Sequence, residues 1–364
     1  MPEATPRQMT FVDALREGLD QAMDVDPRVI VIGEGVPDPK AIFNTTAGLR
    51  QKYGPRRVFD MPLSENGLTG ACIGAALSGM RPVLIHQRVD FSLLAMDQIV
   101  NNAAKWHYMF DGKASVPMVV RMIMGRGWGQ GPQHSQGLHA MYAQVPGLKV
   151  VMPSNPHDAK GMMMASIQDD NPVIFIEHRW LHRVIDSVPE EPYTIALDQA
   201  KLLKEGRADS VTIAAISYAS LEALGAARAL SACMGVEVEV IDLRSIRPLD
   251  HSMVSASVRK TGRLLVVDTA FETGSVSGEI VYRVAHDTFD VLRAAPARLG
   301  MPDYPVPTSP FMTDGYYPGP QQIADSVLDL MGLAKTGSAY GLLRDALANK
   351  GRHDTPHRDF TGPF

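Results

Sequence analysis

Short apolar runs rich in β-branched residues alternate with helical patterns from residue 10 to about residue 180. Each run is apolar enough to be buried on both faces, which is typical of strands in a parallel sheet covered by helices. The alternation therefore predicts an α/β domain built on a parallel sheet. The predicted strands are Val29–Ile32, Pro82–Ile85, Met118–Ile123, Lys149–Met152 and Pro172–Ile176, and the predicted helices are Val12–Met23, Gly67–Gly79, Leu94–Tyr108, Leu138–Ala143 and His157–Gln168.

A polar segment that contains two prolines, Asp186–Tyr193, interrupts this pattern, and a second α/β alternation begins near Asp209. Its predicted strands are Val211–Ile216, Val236–Ile241 and Arg263–Val267, and its predicted helices are Leu221–Cys233, Ser252–Thr261, Ser277–His286 and Gln321–Met331. The sequence therefore predicts one domain at residues 1–190, a smaller α/β domain at residues 200–332 and a C-terminal arm at residues 333–364. The arm ends in KGRHDTPHRDFTGPF, which has little periodicity.

Composition excludes several functional classes. The chain has 364 residues and a formal net charge of −5, with no block of Lys and Arg, so neither nucleic acid nor an anionic membrane surface is an expected partner. No apolar stretch approaches the roughly 20 residues of a membrane span, and the N-terminal sequence lacks the apolar centre of a secretory signal, so we expect a cytoplasmic protein. Cys72 and Cys233 lie in apolar helical contexts, which favours core packing.

Residues 60–80, DMPLSENGLTGACIGAALSGM, place Ser64 and Glu65 at the start of a helix made mostly of small residues. One interpretation is structural: Ser64 caps the helix, and Glu65 faces the positive end of its dipole. The other is functional, because small side chains allow a ligand to approach closely and to meet a carboxylate there. The segment alone leaves both interpretations open.

A glycine-rich loop, MGRGWGQGPQHSQG at residues 124–137, ends just after His134. A phosphate-binding loop is disfavoured, because no GK[ST] follows and the glycine spacing does not match a dinucleotide fingerprint. The loop instead predicts a histidine that faces a ligand, since imidazole can donate to or accept from a reacting oxygen near neutral pH. A solvated loop histidine is the plainer alternative.

Six motifs follow one another between residues 10 and 331: PLSE, DFSLLAMDQIVNNAAKWHY, PQHSQ, PGLKVVMPSNPHDAKG, IDLRSIRPLD and VRKTGRLLVVD. In this order they resemble the β subunit of the E1 component of 2-oxo acid dehydrogenases, of the pyruvate, branched-chain or acetoin type, in the transketolase-like family that uses thiamine diphosphate. The resemblance implies a transketolase-like pyrimidine-binding domain followed by a transketolase C-terminal-type domain. It also implies an enzyme that decarboxylates a 2-oxo acid and acylates a lipoyl group.

The same resemblance implies a partner subunit. In the family, an α subunit carries the site for the diphosphate and Mg²⁺ with a GDG signature, and this chain contains no GDG. We therefore expect thiamine diphosphate with Mg²⁺, bound mainly by an E1 α-like subunit in an α₂β₂ assembly. A lipoyl-bearing acyltransferase core is a further expected partner.

Individual site residues follow from the resemblance. Glu65 matches the carboxylate that hydrogen-bonds the cofactor's pyrimidine, Phe91 matches the ring stacked on that pyrimidine, and Leu63 would line the same pocket. His134 matches a histidine near the substrate and the lipoyl partner. Glu34 and Asp97 match acidic residues that join Glu65 in a water-containing path between active sites, although an ordinary polar helix position also explains Asp97.

A monovalent-cation site, with K⁺ as the expected ion, is also implied, and its alternative is a plain helix-ending turn. Its candidate ligands are the backbone oxygens of Met118, Ser166 and Ile167, together with Asp169 and Asn171.

Two segments depart from the family pattern: HQRVDF, which places Arg88 close to the expected pocket, and EHRWLHR at residues 177–183. They motivate an alternative function, a two-component transketolase-like carboligase that transfers an acyl or two-carbon unit to a carbonyl acceptor. A non-catalytic scaffold subunit is a third hypothesis, and the presence of Glu65, Phe91 and His134 argues against it.

Overall fold

The structure, a computed structural model, describes residues 7–126 and 129–348. Within these ranges the chain forms two compact units, one of residues 7–125 and 134–197 and the other of residues 126, 129–133 and 198–348. The chain thus joins the second unit for a short segment and returns to the first at His134. The predicted domain limits at residues 190 and 200 stay predictions.

A parallel sheet forms the centre of the first unit. It runs in the order β6 (Lys149–Val151), β7 (Val173–His178), β5 (Val119–Met124), β4 (Arg81–His86), β2 (Val29–Gly33), β3 (Val58–Phe59). Every residue of β2, β5 and β7 is buried, including Arg121 on β5 and Glu177 on β7 among otherwise mostly apolar side chains. A separate antiparallel pair joins β1 (Gln8–Thr10) to β8 (Ile185–Ser187).

The helices of this unit have identifiable start signals. The Thr10 side chain accepts from a first-turn amide at 3.1 Å at the start of α1 (Phe11–Val25), and Asn155 does the same at 2.9 Å for α6 (Pro156–Gln168). These two helices pack closely, since a Cβ at Gly18 would lie only 2.8 Å from the backbone oxygen of Lys160. The helices are α1 (Phe11–Val25), α2 (Leu49–Tyr53), α3 (Glu65–Leu77), α4 (Ala104–Met109), α5 (His139–Ala143) and α6 (Pro156–Gln168), with a 3₁₀ turn at Arg179–Leu181.

The predicted helix Leu94–Tyr108 is not one α-helix. A 3₁₀ turn covers Phe91–Ala95, a π-helical segment covers Gln98–Ala103, and regular helix begins only with α4. The backbone amide of Val89 donates to the carbonyl of Ile123 at 2.8 Å, so the start of the segment is fixed to the end of β5. The widened turn then changes the helical register, a feature that often accompanies functional sites.

A second, mainly parallel sheet forms the centre of the other unit, and the predicted α/β class is confirmed for both. Its strand order is β14 (Ala297–Met301), β13 (Leu264–Phe271), β10 (Thr212–Ala215), β11 (Glu239–Asp242), β9 (Lys201–Lys204), with only β9 antiparallel to its neighbour. The remaining elements are α7 (Tyr218–Met234), β12 (Ser245–Arg247), α8 (His251–Thr261), α9 (Val276–Thr288), a 3₁₀ turn at Pro310–Thr313, α10 (Pro320–Met331) and α11 (Gly337–Leu347).

Helix α11 lies within the segment predicted as a C-terminal arm. Leu343 has no exposed surface and belongs to the apolar core around α7, with Tyr340 and Leu347 packed against the same core. These three residues repeat at helical spacing, which gives the segment an apolar stripe to bury. Residues 349–364, the rest of the predicted arm, lie outside the described residues. None of the helices in the described ranges is both long and apolar enough to cross a membrane.

Candidate functional site

Three of the predicted site residues follow neighbouring strands of the first sheet. Glu34 comes directly after β2, Phe91 comes five residues after β4, and His134 follows the glycine-rich loop after β5. Strands β5, β4 and β2 are adjacent and parallel. Because carboxyl ends of parallel strands meet at one edge of a sheet, these segments leave the same edge, where α/β proteins bind their ligands.

Glu65 is the first residue of α3 and is 6% exposed. Among the residues that the structure describes, none donates a hydrogen bond to its carboxylate. Ser64 occupies the cap position, but its side chain makes no capping hydrogen bond, so the purely structural interpretation of this segment loses its main support. With no donor from the described residues, the carboxylate is left for water or a ligand to satisfy.

Glu34 lies in the electrostatic field of Glu65. Its Oε1 atom is buried and has no hydrogen-bond partner within the described part of the chain. Burial raises the pKa of the Glu34 carboxyl, and repulsion from Glu65 and Asp60 raises it further. Asp60, which the sequence interpretation missed, accepts from the amide of Gly35 at 2.9 Å and so fixes the turn that follows Glu34. The structure thus brings two predicted acids together with a third.

Phe91 and His134 form an aromatic contact, with ring centroids 5.3 Å apart and an interplanar angle of 89°. An edge-to-face pair of this kind fixes both rings without closing off the exposed face of either. Next to it, Gln136 Nε2 donates to Asp90 Oδ1 at 2.8 Å. Phe91 and His134, predicted separately as a stacking ring and a substrate-facing histidine, are thus in contact, and Asp90 and Gln136 are additional residues that sequence interpretation missed.

Two predicted residues, Leu63 and Asp97, are not gathered into this group. Leu63 is 81% exposed. Asp97 is exposed and bonds within its own segment, where its carboxylate accepts from Asn101 at 2.8 Å and from Gln98 at 3.2 Å. Their roles at the cofactor stay predictions.

The predicted cation ligands lie around the end of α6 and already have protein partners. Arg81 Nη1 donates to the backbone oxygens of Ile167 and Asp169, at 3.0 Å each. The Asp169 carboxylate pairs with Lys149 and accepts from the backbone amide of Asn171 at 2.9 Å. Two side-chain cations therefore occupy part of the oxygen set that a monovalent ion would need. In residues 7–126 and 129–348 no group of three or more His, Cys, Asp or Glu side chains is arranged to hold a metal.

At the other two predicted ligand residues, the Met118 carbonyl and the Ser166 side chain make ordinary hydrogen bonds. The carbonyl of Met118 accepts from the Val173 amide at 3.0 Å, and the Ser166 hydroxyl donates to the Met162 carbonyl at 2.7 Å. The cation site stays a prediction.

The two segments that depart from the family pattern meet on one ring. The guanidinium carbon of Arg88 lies 5.8 Å from the centroid of Phe43, and that of Arg179 lies 4.5 Å from it. Burial lowers the pKa of each guanidinium to about 10, and repulsion from Arg88 adds to the effect at Arg179. Phe43 lies in the loop after β2, so this cluster borders the edge that carries Glu34.

Comparison with known proteins places this architecture in a family. Residues 7–184 match the family model described as "Transketolase, pyrimidine binding domain", and residues 198–323 match "Transketolase, C-terminal domain". A solved structure titled "Split gene transketolase, inactive beta4 tetramer" has the same fold, with a TM-score of 0.71 at 19% identity, and the match covers 89% of this chain and 99% of that one.

Curated relatives are more similar in sequence. The chain is 40% identical over 338 residues to the "Acetoin:2,6-dichlorophenolindophenol oxidoreductase subunit beta" of Bacillus subtilis (strain 168), covering 90% of this chain and 98% of that protein. It is 42% identical over 308 residues to the "Pyruvate dehydrogenase E1 component subunit beta-1, mitochondrial" of Arabidopsis thaliana, covering 84% of each. The chain belongs to the family of E1 β subunits within the transketolase-like proteins, as the motifs indicated.

Proposed function

We propose that this chain is the β subunit of a two-component, thiamine-diphosphate-dependent 2-oxo acid dehydrogenase. It would act with an E1 α-like subunit, decarboxylate a 2-oxo acid and acylate a lipoyl group. The observation that supports this most directly is Glu65, a residue only 6% exposed whose carboxylate lacks a donor among the described residues and lies in the field of Glu34. A cytoplasmic location goes with the proposal.

The residues present fit the pyrimidine half of the cofactor. The Glu65 carboxylate and the buried Glu34 Oε1 are both without a donor in the described residues, and Phe91, which leaves the same edge of the sheet, offers a ring for stacking. Thiamine diphosphate, when bound, supplies the electron sink that decarboxylation requires. Mg²⁺ and the diphosphate would be bound by the partner subunit, because this chain carries no GDG.

Each residue then has a chemical task. Glu65 would share a proton with a ring nitrogen, since a carboxylate kept from water is a strong hydrogen-bond partner. Glu34, whose pKa is raised by burial and by Glu65, would hold a proton next to it. His134, fixed edge-on to Phe91, would donate to or accept from a reacting oxygen of the substrate.

One relative's name also brings in a second substrate. Because the Bacillus subtilis relative is named as an acetoin oxidoreductase subunit, acetoin should be assayed as a substrate beside pyruvate and branched-chain 2-oxo acids. Acetoin cleavage would use the same cofactor site.

The test uses the full chain, co-expressed with an E1 α-like subunit and supplied with thiamine diphosphate and Mg²⁺. Turnover is followed with a dye acceptor over a panel of 2-oxo acids and acetoin, and then with a lipoyl domain as acceptor. Glu65→Gln should lower kcat by about 100-fold or more, whereas Glu279→Gln, the same change on an exposed helix surface, should not. Equal turnover of Glu65→Gln and wild type would favour the scaffold hypothesis, and turnover only with a carbonyl acceptor would favour the carboligase.

A further inference from the structure

Three contacts join the segment that carries Phe91 to the segment that carries His134. Gln136 Nε2 donates to Asp90 Oδ1 at 2.8 Å, the rings of Phe91 and His134 meet edge to face, and the Ser92 and Tyr142 hydroxyls share a short hydrogen bond. The contacts follow consecutive residues, 90, 91 and 92, on one side. The aromatic contact between Phe91 and His134 therefore lies between two side-chain hydrogen bonds that join the same two segments.

Asp90 is an unusual residue for a purely structural tie. It is 8% exposed, and its second oxygen, Oδ2, is buried with no hydrogen-bond partner in the described residues. Burial raises the pKa of the Asp90 carboxyl, and the hydrogen bond from Gln136 opposes that rise only in part. Burying a carboxylate costs more desolvation free energy than burying an amide or a hydroxyl, either of which could also accept this hydrogen bond.

The tie between Asp90 and Gln136 lies close to His134 along the chain. His134 is the first residue after the chain returns from the second unit, and it comes only two residues before Gln136. On the preceding side the chain is rich in glycine, and Gly129 and Gly131 both have positive φ. On the following side, the Gln136 side chain bonds directly to the segment that carries Phe91.

We propose that Asp90 is a positioning residue of the active site: through Gln136 it holds the His134 imidazole against Phe91 in the orientation that the reaction needs. The expected effect of Asp90 on turnover rests on the proposed function, whereas the connection of Asp90 to the His134 segment rests on geometry alone. Asp90 does not touch the ring itself, so its effect passes through Gln136.

Three substitutions separate positioning from general stability. Asp90→Ala removes the acceptor, Gln136→Met removes the donor, and Asp90→Asn keeps an acceptor oxygen for Gln136. Misplacement of a reacting group by about 1 Å can cost on the order of 100-fold in rate, so Asp90→Ala and Gln136→Met should lower kcat by about 10- to 100-fold with a smaller change in KM. Asp90→Asn should recover most of that loss.

The decisive comparison repeats Asp90→Ala in a His134→Gln background. If Asp90 acts through His134, it has nothing left to position there, and the double variant should turn over at the rate of His134→Gln alone. A further loss in the double variant of the same size as in the single one would overturn the proposal. Thr212→Val, which removes a buried hydroxyl bonded to Ser257 and Thr261 in the second unit, controls for loss of stability alone.

A second readout does not depend on turnover. The complex with the α-like subunit is treated with diethylpyrocarbonate, and modification of the His134 peptide is followed by mass spectrometry. Loss of the hydrogen bond between Gln136 and Asp90 should raise the rate of His134 modification by about tenfold in Asp90→Ala and in Gln136→Met. The rate should not change in Thr212→Val. An unchanged rate in both variants overturns the positioning role. If wild type shows no turnover, the proposed function fails, and this measurement still decides the role of Asp90.

Discussion

Arg121 on β5 and Glu177 on the neighbouring β7 form an ion pair in which Arg121 Nη2 lies 2.6 Å from Glu177 Oε1, and neither side chain has any exposed surface. His182 Nε2 lies 3.2 Å from the same oxygen. Burial alone would raise the pKa of the Glu177 carboxyl, but Arg121 and His182 outweigh it and lower that pKa to about 2. The charge is thus fixed inside the sheet that carries the site.

Glu177→Gln should destabilise the protein strongly, because it leaves the Arg121 charge buried without its counter-charge. Removing one partner of a buried pair typically costs about 3–5 kcal/mol, and we expect that loss in urea unfolding near neutral pH. In wild type, the contribution of Glu177 is present above its unfolded pKa of about 4.5 and is lost as the pH falls towards about 2.

The matched control is the double variant Arg121→Met with Glu177→Met. It removes both charges and leaves no uncompensated ion, so it should retain more stability than Glu177→Gln. Equal losses in the two variants would show that packing volume, and not charge, dominates at this position.

His86, the last residue of β4, should make the protein sensitive to mild acid. It is 3% exposed, its Nε2 has no hydrogen-bond partner in the described residues, and burial lowers its pKa to about 4. Between about pH 6.5 and pH 4 this histidine is protonated in the unfolded chain but neutral in the folded protein. The free energy of unfolding therefore falls as the pH is lowered through that range.

His86→Leu removes this proton uptake and an unsatisfied buried nitrogen. At about pH 7.5 the variant should be at least as stable as wild type, and its advantage should grow as the pH is lowered to about 5. Thermal unfolding at both pH values measures the difference. An advantage that stays constant with pH would contradict the prediction.

Much of the fold could be predicted from sequence because its signals are local. The strands β2, β4, β5 and β7 are mostly apolar, with Arg81, Arg121 and Glu177 as charged exceptions, and each was located to within two residues at either end. Strands β9 and β14 were missed because they are only partly buried and carry charged side chains among their apolar residues. Helix α11 was missed because its apolar stripe is short and only its contact with α7 makes it visible.

The candidate site was only partly predictable for a related reason. Glu34, Glu65, Phe91 and His134 each stand in a motif, so a resemblance could name them. Asp90 and Gln136 gave no separate signal, since their significance lies in a contact across 46 residues. The occupation of the Ile167 carbonyl by Arg81 likewise depends on a distant residue and could not be read from either segment.

Glu34→Gln should trade activity for stability. The pKa of Glu34 is raised by burial, Glu65 and Asp60, so the ionised form is penalised in the folded state. At low pH the Glu34 carboxyl is protonated in both the folded and the unfolded chain, so ionisation does not affect stability. As the pH rises above about 4.5, the carboxyl ionises more readily in the unfolded chain, and the free energy of unfolding falls. Glu34→Gln should therefore unfold at a higher temperature than wild type at about pH 8, with no difference near pH 4, while turnover falls. A stabilisation that is equal at both pH values would show that the carboxyl group's charge is not the cause.

Lys160 should hold the end of the first unit in place. Its side chain is fully buried, and Nζ donates to Glu17 Oε1 at 2.6 Å and to the backbone oxygens of residues 189, 190 and 191 at 2.7, 2.9 and 3.1 Å. Lys160→Met keeps the length of the side chain and removes the donor of the residue 191 carbonyl, while Arg7 still donates to Glu17 and to the residue 189 carbonyl, and Gln21 to the residue 190 carbonyl. We therefore expect a loss of about 1–3 kcal/mol and faster amide exchange around residues 189–193. Lys52→Met is the matched control, because Lys52 also bridges two carboxylates of α1 but is 44% exposed, and its loss should cost no more than about 1 kcal/mol. Urea unfolding and hydrogen exchange of the two variants test this prediction. Similar losses of unfolding free energy, or unchanged exchange at residues 189–193 in Lys160→Met, would contradict it. Either result would mean that the apolar packing of α1 against α6 holds this segment without the buried charge.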